Sequence, residues 1–150
     1  MAALQPLINK RIQMSLDTRV SIAEAEQLVK EAFLRNGVKE AVAESVSNAL
    51  VAAEAEGQVG HGFSRVKDYL AQVKSKKINV DAKIKIESPK PTSISIDADY
   101  GFAYPALDQA ISEGALTAKE YGSAIVSIFN SHHCGALSVQ VEKIAKQGLI

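Results

Sequence analysis

The sequence predicts an α/β fold in which N-terminal helices pack beside the start of a mixed sheet. Apolar residues recur at helical spacing in the first half of the chain, whereas polar and apolar residues alternate in much of the second half. A nearly continuous apolar stretch over 123–129 predicts a strand buried on both faces. The 150 residues are within the usual size of one domain.

Three helices account for the helical spacing in the first half. The first begins at Ser21, because Glu24 follows three residues later as in a capping box, and it ends at Gly37. The second and third are predicted over about 39–56 and about 63–74, each with apolar residues on one face.

The second half begins with two short alternating stretches. Residues 83–87 predict a half-buried strand that Pro89 ends, and residues 92–97 alternate again. A helix over about 104–121 precedes the apolar strand, and a last helix is predicted over about 137–147.

This pattern divides the chain into two regions. We expect a helical N-terminal region over 1–78 and an α/β region over 79–150. Gly148 follows the last helix, and Leu149 and Ile150 are typical of an entry into a buried strand. The α/β region is therefore expected to be incomplete at its C-terminus.

Composition excludes several classes of protein. Lys and Arg number 17 and so do Asp and Glu, so the formal net charge is zero and no basic stripe favours nucleic acid. No apolar run approaches the roughly 20 residues that span a bilayer. Residues 1–16 lack the apolar core of a signal peptide. The single cysteine, Cys134, favours a reducing, cytoplasmic setting.

A first candidate site lies at the start of the third helix. Arg65 and Tyr69 are four positions apart and therefore share one helix face, and His61 just precedes the helix. An imidazole, a guanidinium and a phenol at one place suit a small anionic substrate that exchanges a proton. The alternatives are a surface stacking contact of the arginine and tyrosine and a histidine that caps the helix.

A second candidate site is the segment His132-His133-Cys134 between the last strand and helix. No metal is expected there, because adjacent side chains point to opposite sides and the usual gap between zinc ligands is missing. Cys134 is interpreted as a small apolar residue rather than a nucleophile beside His133. The glycines at 57, 60 and 62 follow a helix and have the wrong order for a Rossmann dinucleotide loop.

Four segments together resemble the type 2 malate/L-lactate dehydrogenase family, which also includes ureidoglycolate, sulfolactate and diketogulonate dehydrogenases and Δ1-piperideine-2-carboxylate reductase. They are 50–54, the Gly-His-Gly and following residues of 60–70, the turn 97–101, and Asn-Ser-His-His-Cys-Gly over 130–135. Where the family shows Ser and Phe, this chain has Gly60 and Cys134. The family is also roughly twice as long.

The resemblance implies a non-Rossmann NAD or NADP oxidoreductase that acts on a small 2-oxo or 2-hydroxy acid, or a related imine, as a homodimer. It implies that His133 donates and accepts the proton, that His61 helps to hold or protonate the substrate, that Arg65 binds the carboxylate and that Tyr69 lines the pocket. Residues that bind the cofactor are expected mostly beyond Ile150. The alternative is a truncated, non-catalytic remnant or oligomerisation module of the same family.

Overall fold

The computed structural model describes residues 19–150, and within this range helices pack around a small mixed sheet. In chain order the elements are α1 (Ile22–Leu34), α2 (Glu40–Ala55), a 3₁₀ turn (Val59–His61), α3 (Ser64–Lys74), β1 (Lys85–Lys90), β2 (Ser93–Asp97), α4 (Ala103–Tyr121), β3 (Ile125–Phe129) and α5 (Leu137–Ala145). The predicted fold class is confirmed. The expectation for residues 1–16 lies outside the described range.

The predicted capping box at the start of α1 is present. The Ser21 Oγ accepts a hydrogen bond from the backbone N–H of Glu24 at 3.2 Å, and the Glu24 carboxylate accepts one from the backbone N–H of Ser21 at 2.9 Å. After the helix, Gly37 adopts a left-handed φ of +83°, which a residue without a Cβ tolerates readily. Local sequence signals therefore explain both ends of α1.

The sheet has the order β1-β2-β3, with β1 antiparallel and β3 parallel to the central strand β2. The chain passes from β2 to β3 through α4, as parallel neighbours require a crossover. Ile94 and Ile96 of β2 are buried, and they form one apolar cluster with Ala106 and Ala110 of α4. The predicted alternation of β2 is confirmed.

Two expectations for the outer strands were wrong. Pro89 does not end β1, which continues to Lys90, because an edge strand can accommodate a residue that lacks an N–H. Its residues are exposed rather than half-buried. Strand β3 is not buried on both faces: Ile125 and Phe129 are 70% and 47% exposed, because α4 covers only the face that carries Val126 and Ile128.

The main apolar core joins α1, α2 and α3 to the start of α4. Phe102 packs edge-to-face on Phe33, with ring centroids 5.7 Å apart, and at the same distance on Tyr69. The core thus contains residues from both sides of position 78, where the domain boundary remains a prediction. It also brings Tyr69 and Tyr104 together. None of the helices within residues 19–150 is long and apolar enough to cross a membrane.

Candidate active site

The two predicted site histidines lie side by side. The imidazole rings of His61 and His133 are nearly parallel, with an interplanar angle of 17° and centroids 5.6 Å apart. The structure thus brings together the segment before α3 and the segment after β3. Because His61 is partly buried and His133 is exposed, the pair is accessible to a solute.

His61 is positioned by a short 3₁₀ turn and a close packing contact behind it. Glu54, in the last turn of α2, accepts a hydrogen bond from the backbone N–H of Phe63 at 2.8 Å and so satisfies a free donor at the start of α3. Gly62 is packed against Glu54, because a Cβ at position 62 would lie 2.9 Å from the Glu54 Cα. Only glycine fits there without movement of the backbone.

Arg65 is anchored in the first turn of α3. Its Nε donates to the backbone carbonyl of Gly60 at 2.6 Å, and its Nη1 lies 3.7 Å from an Asp68 carboxylate oxygen. The side chain is 37% exposed. The guanidinium therefore has a fixed stem and can still offer donors to an anionic group, which its planar fork would bind bidentately.

Tyr69 lies one turn further along α3 and connects the site to the core. Its hydroxyl is 2.9 Å from Nδ1 of His133 and 3.0 Å from the hydroxyl of Tyr104 at the start of α4. Only 3% of Tyr69 is exposed. Tyr69 therefore fixes the orientation of His133 from beneath.

The segment that carries His133 is held by its own backbone and by the neighbouring turn. Asn130 adopts a left-handed φ of +50° and donates from Nδ2 to an Asp97 carboxylate oxygen at 3.0 Å. Gly135 has a φ of +72°, and its N–H donates to Nδ1 of His133 at 3.2 Å. A Cβ at Gly135 would meet the Tyr104 hydroxyl, so both conformation and packing require glycine.

The surroundings disfavour a proton on His133. Partial burial of the ring lowers the pKa of this imidazole, and the positive charge of Arg65 and the neighbouring His61 lower it further. Burial raises the pKa of Tyr69, which therefore stays a neutral hydroxyl near neutral pH. The site thus combines a neutral imidazole and a fixed cation, which suits an anionic substrate and proton transfer.

The remaining groups of the second candidate segment lie outside this cluster or add little to it. His132 points away, and its Nε2 hydrogen bonds with the backbone carbonyl of Lys77 at 2.9 Å. Cys134 is a half-buried free thiol. In the part of the chain that the structure describes, no group of three His, Cys, Asp or Glu residues is arranged to hold a metal ion.

Sequence reasoning gave no role in the site to three residues that shape it: Glu54, Tyr104 and Gly135. Glu54 and Gly135 lie in the segments 50–54 and 130–135 that carry the family resemblance, and a glycine is the residue that a left-handed turn favours. No local pattern marks Tyr104, whose contacts depend on how the helices pack.

Comparison with known proteins shows to which family the chain belongs. A family model described as malate/L-lactate dehydrogenase matches residues 20–150, and the chain belongs to that family. The predicted resemblance is therefore confirmed.

The chain is similar to several characterised relatives. It is 37% identical over 131 residues to (2R)-3-sulfolactate dehydrogenase (NADP(+)) of Chromohalobacter salexigens, covering 87% of this chain and 39% of that protein. It is 30% identical over 132 residues to ureidoglycolate dehydrogenase (NAD(+)) of Escherichia coli O157:H7, covering 88% of this chain and 38% of that protein.

The fold is similar to that of a solved relative. The structure of Δ1-piperideine-2-carboxylate reductase from Pseudomonas syringae pv. tomato matches with a TM-score of 0.84 and 32% identity, covering 87% of this chain and 40% of that one. The chain thus spans about two fifths of the length of the relatives that it matches.

Proposed function

We propose that this chain supplies the substrate-binding and proton-transfer residues of an NAD(P)-dependent oxidoreductase that interconverts a small 2-oxo acid, or a related cyclic imino acid, and its reduced form. The carrying observation is the stacked pair of His61 and His133 beside Arg65. Relatives named as a sulfolactate dehydrogenase, a ureidoglycolate dehydrogenase and a piperideine-2-carboxylate reductase support this substrate class. Malate and lactate are members of the same class.

Arg65 is the proposed ligand of the substrate carboxylate. Its Nε already donates to the Gly60 carbonyl, so its two terminal nitrogens remain to receive a carboxylate in a bidentate geometry. An Asp68 carboxylate oxygen lies 3.7 Å from Nη1 of Arg65. This contact restricts the movement of the guanidinium and leaves its terminal nitrogens accessible to a substrate. Binding here places the acid group beside both histidines.

His133 is the proposed proton donor and acceptor. Its Nδ1 is engaged by Tyr69 and by the N–H of Gly135, so Nε2 is the nitrogen left to face a substrate. Reduction of a carbonyl or imine places charge or a lone pair on oxygen or nitrogen, and the imidazolium form of His133 can donate its Nε2 proton to that atom. In the oxidative direction Nε2 of the neutral ring accepts the proton, while the other ring proton stays on Nδ1 and is donated to the Tyr69 hydroxyl. His61, stacked on the ring, is the proposed second contact for the substrate oxygen or nitrogen.

Arg65, His61 and His133 together suit an acid substrate. The nicotinamide cofactor would supply or accept the hydride. Gly57, Gly60 and Gly62 follow α2 rather than a strand, so they do not form a Rossmann loop. We assign no residue of the described range to the cofactor. The proposed assembly is a homodimer, and the competing proposal remains a non-catalytic remnant or oligomerisation module of the family.

Native mass spectrometry of the chain with NADH or NADPH tests these proposals. Retention of one nucleotide per subunit, followed by oxidation of NAD(P)H with 2-oxo acids or cyclic imino acids, is the result expected of the enzyme. Dimers of the 16.0 kDa chain that retain no nucleotide and show no turnover would favour the oligomerisation module. The same spectra report the number of subunits.

A further inference from the structure

The carboxylate of Asp97 has no role in the function proposed above, although it lies where the chain leaves the sheet toward His133. Strands β2 and β3 are parallel, and Asp97 is paired with Phe129 at the end of their register. The carboxyl ends of parallel strands meet at one edge of the sheet, so Asp97 lies beside Asn130, the first residue after β3. Asn130 begins the segment that carries His133 three positions later.

Both strands end in turns of unusual backbone conformation at this edge. Asn130 has a φ of +50°, and Asp99 and Tyr100 have φ values of +50° and +56°. Left-handed backbone is unfavourable for residues that carry a Cβ, so it persists where the surroundings hold it. The two turns therefore depend on the contacts that they make.

One oxygen of Asp97 joins the two turns. Its Oδ1 accepts a hydrogen bond from the backbone N–H of Asp99 at 2.9 Å and another from Nδ2 of Asn130 at 3.0 Å. The bonds from Asp99 and Asn130 lower the pKa of the Asp97 carboxyl, and a charged acceptor makes the stronger hydrogen bond. The backbone adds another link, because the N–H of Tyr100 donates to the Asn130 carbonyl at 2.7 Å.

The segment that follows Asn130 has no regular secondary structure. Residues 131–136 form neither helix nor strand, and α5 begins only at Leu137. The place of the His133 ring therefore depends on the two ends of this segment and on the contacts of the ring with Tyr69 and Gly135. The turn at Asn130 is the end nearer to β3.

We infer that Asp97 is a positioning residue that acts through Asn130 to hold His133 against His61. This inference rests on the proposed role of His133 as the proton-transfer group. The bond between Asp97 and Asn130 fixes the direction in which the chain leaves β3, and with it the place of a ring whose stacking partner precedes α3.

The consequence for the reaction is a loss of turnover rather than of binding. A displacement of about 1 Å in a reacting group can cost about 10²-fold in rate. Arg65 is anchored on α3 by the Gly60 carbonyl and does not contact this turn. The substrate carboxylate should therefore bind as before when the bond between Asp97 and Asn130 is removed.

The test begins with NMR of the chain itself, without cofactor or substrate. The unmodified chain should show nuclear Overhauser effects between the ring protons of His61 and His133. Asn130→Gly removes the amide and keeps the turn, because glycine adopts a positive φ without strain. These effects should be lost in Asn130→Gly. Lys76→Gly is the matched control, because Lys76 has a φ of +58° and is exposed, and it should leave the ring contact unchanged.

Kinetics of the enzyme with the nucleotide and acid that support turnover give the second readout. Asn130→Gly should lower kcat about 10- to 100-fold and leave KM within about twofold, since the variant misplaces the proton-transfer group and not the carboxylate ligand. Lys76→Gly should change neither constant.

Exchange of the two side chains shows whether their contact is responsible. Asn130→Asp alone places two carboxylates together and should abolish the ring contact. Asp97→Asn combined with Asn130→Asp should restore both the ring contact and kcat, because the new amide at position 97 can donate to the new carboxylate at position 130.

Several results would overturn the inference. They are an unchanged ring contact and kcat in Asn130→Gly, equal losses in Asn130→Asp and in the exchanged pair, and absence of the ring contact in the unmodified chain. So would an Asn130 side-chain amide that exchanges its protons with water as fast as a free amide, which is measurable even where a variant fails to fold. Absence of nucleotide binding would count against the proposed enzyme, whereas loss of the ring contact in Asn130→Gly would still support the role of Asp97 in placing His133.

Discussion

The two histidine-bearing segments of the site are held in place by different physical means. His61 lies in a 3₁₀ turn between helices, and a close steric fit of Gly62 against Glu54 fixes it. His133 lies in an extended segment after β3, and hydrogen bonds of its Nδ1 with Tyr69 and Gly135 fix it. Packing therefore determines where His61 is, whereas hydrogen bonding determines the place of His133 and the orientation of its ring.

This difference predicts different consequences of mutation in the two segments. Changes around His133 should alter proton transfer with little effect on folding. Changes behind His61 should alter stability first.

The largest effect is expected from removal of the proposed proton-transfer group. His133→Gln should lower the turnover number about 10²–10⁴-fold, since a positioned general acid or base contributes about that factor. Steady-state kinetics with the nucleotide and acid that support turnover measure it. His132→Gln is the matched control, because this ring pairs with the Lys77 carbonyl outside the cluster. Equal losses in both variants would contradict the assignment.

Loss of the proposed carboxylate ligand should mainly weaken substrate binding. Arg65→Ala should raise the KM for an acid substrate about 10- to 100-fold, because a hydrogen bond to a charged group contributes about 1.5–3 kcal/mol. Lys67→Ala, an exposed cation on the same helix, controls for the general loss of positive charge. An unchanged KM in Arg65→Ala would contradict the role of Arg65 as the ligand of the substrate carboxylate.

The glycines on either side of His61 test the steric argument. Gly62→Ala should lower the free energy of unfolding by about 1–3 kcal/mol, because its Cβ would overlap Glu54. Gly60→Ala is the matched control and should change stability by less than about 0.5 kcal/mol, since its Cβ would meet no atom within 4 Å. Urea denaturation of both variants compares them. Equal destabilisation would show that the fit at Gly62 is not what holds the turn.

The smallest effect is the pH dependence of stability that His133 contributes. Burial, Arg65 and His61 lower the pKa of this ring below the ordinary value of 6.5. Between the two values the unfolded chain binds a proton that the folded chain does not, so stability falls as the pH falls through that window. His133→Gln should flatten this slope, and His132→Gln should retain it. Urea denaturation between pH 5 and pH 8 measures both slopes.

The same lowered pKa predicts the form of the pH–rate profile. Oxidation of the hydroxy acid needs neutral His133, so its kcat/KM should fall only as the pH drops below a value lower than 6.5. Reduction should show the opposite trend, since the imidazolium donates the proton. A limb above 6.5 in both directions would identify a different titrating group.

Much of the fold followed from local patterns. The capping box at Ser21, the alternation of β2 and the helical spacing of α4 identified these elements, because hydrogen bonds and burial within a few residues stabilise them. The outer strands were predicted less well. Whether the side chains of a strand are buried depends on what packs on each face of the sheet, and in the described chain α4 covers one face of β3 while the residues of β1 are exposed.

The candidate residues were also apparent from the sequence, but their relationships were not. Spacing placed Arg65 and Tyr69 on one helix face with His61 just before the helix, and the segment of His133 was a candidate because it follows a predicted strand. The resemblance to a family added the roles of these residues and included Glu54 only as part of the segment 50–54. The partner Tyr104 had no local signal. Tyr69 and Tyr104 are 35 positions apart in the chain, and a helical pattern gives no information about a contact of that separation.

The sequence alone thus determined the helices, the central strand and the residue types available for acid binding and proton transfer, because these depend on short-range periodicity. Only the tertiary structure decided that His61 stacks on His133 and that the Tyr69 hydroxyl lies between Nδ1 of His133 and the Tyr104 hydroxyl. Those contacts join residues that are 35 to 72 positions apart in the chain, and they form only when packing of the core brings α3, α4 and the loop after β3 together.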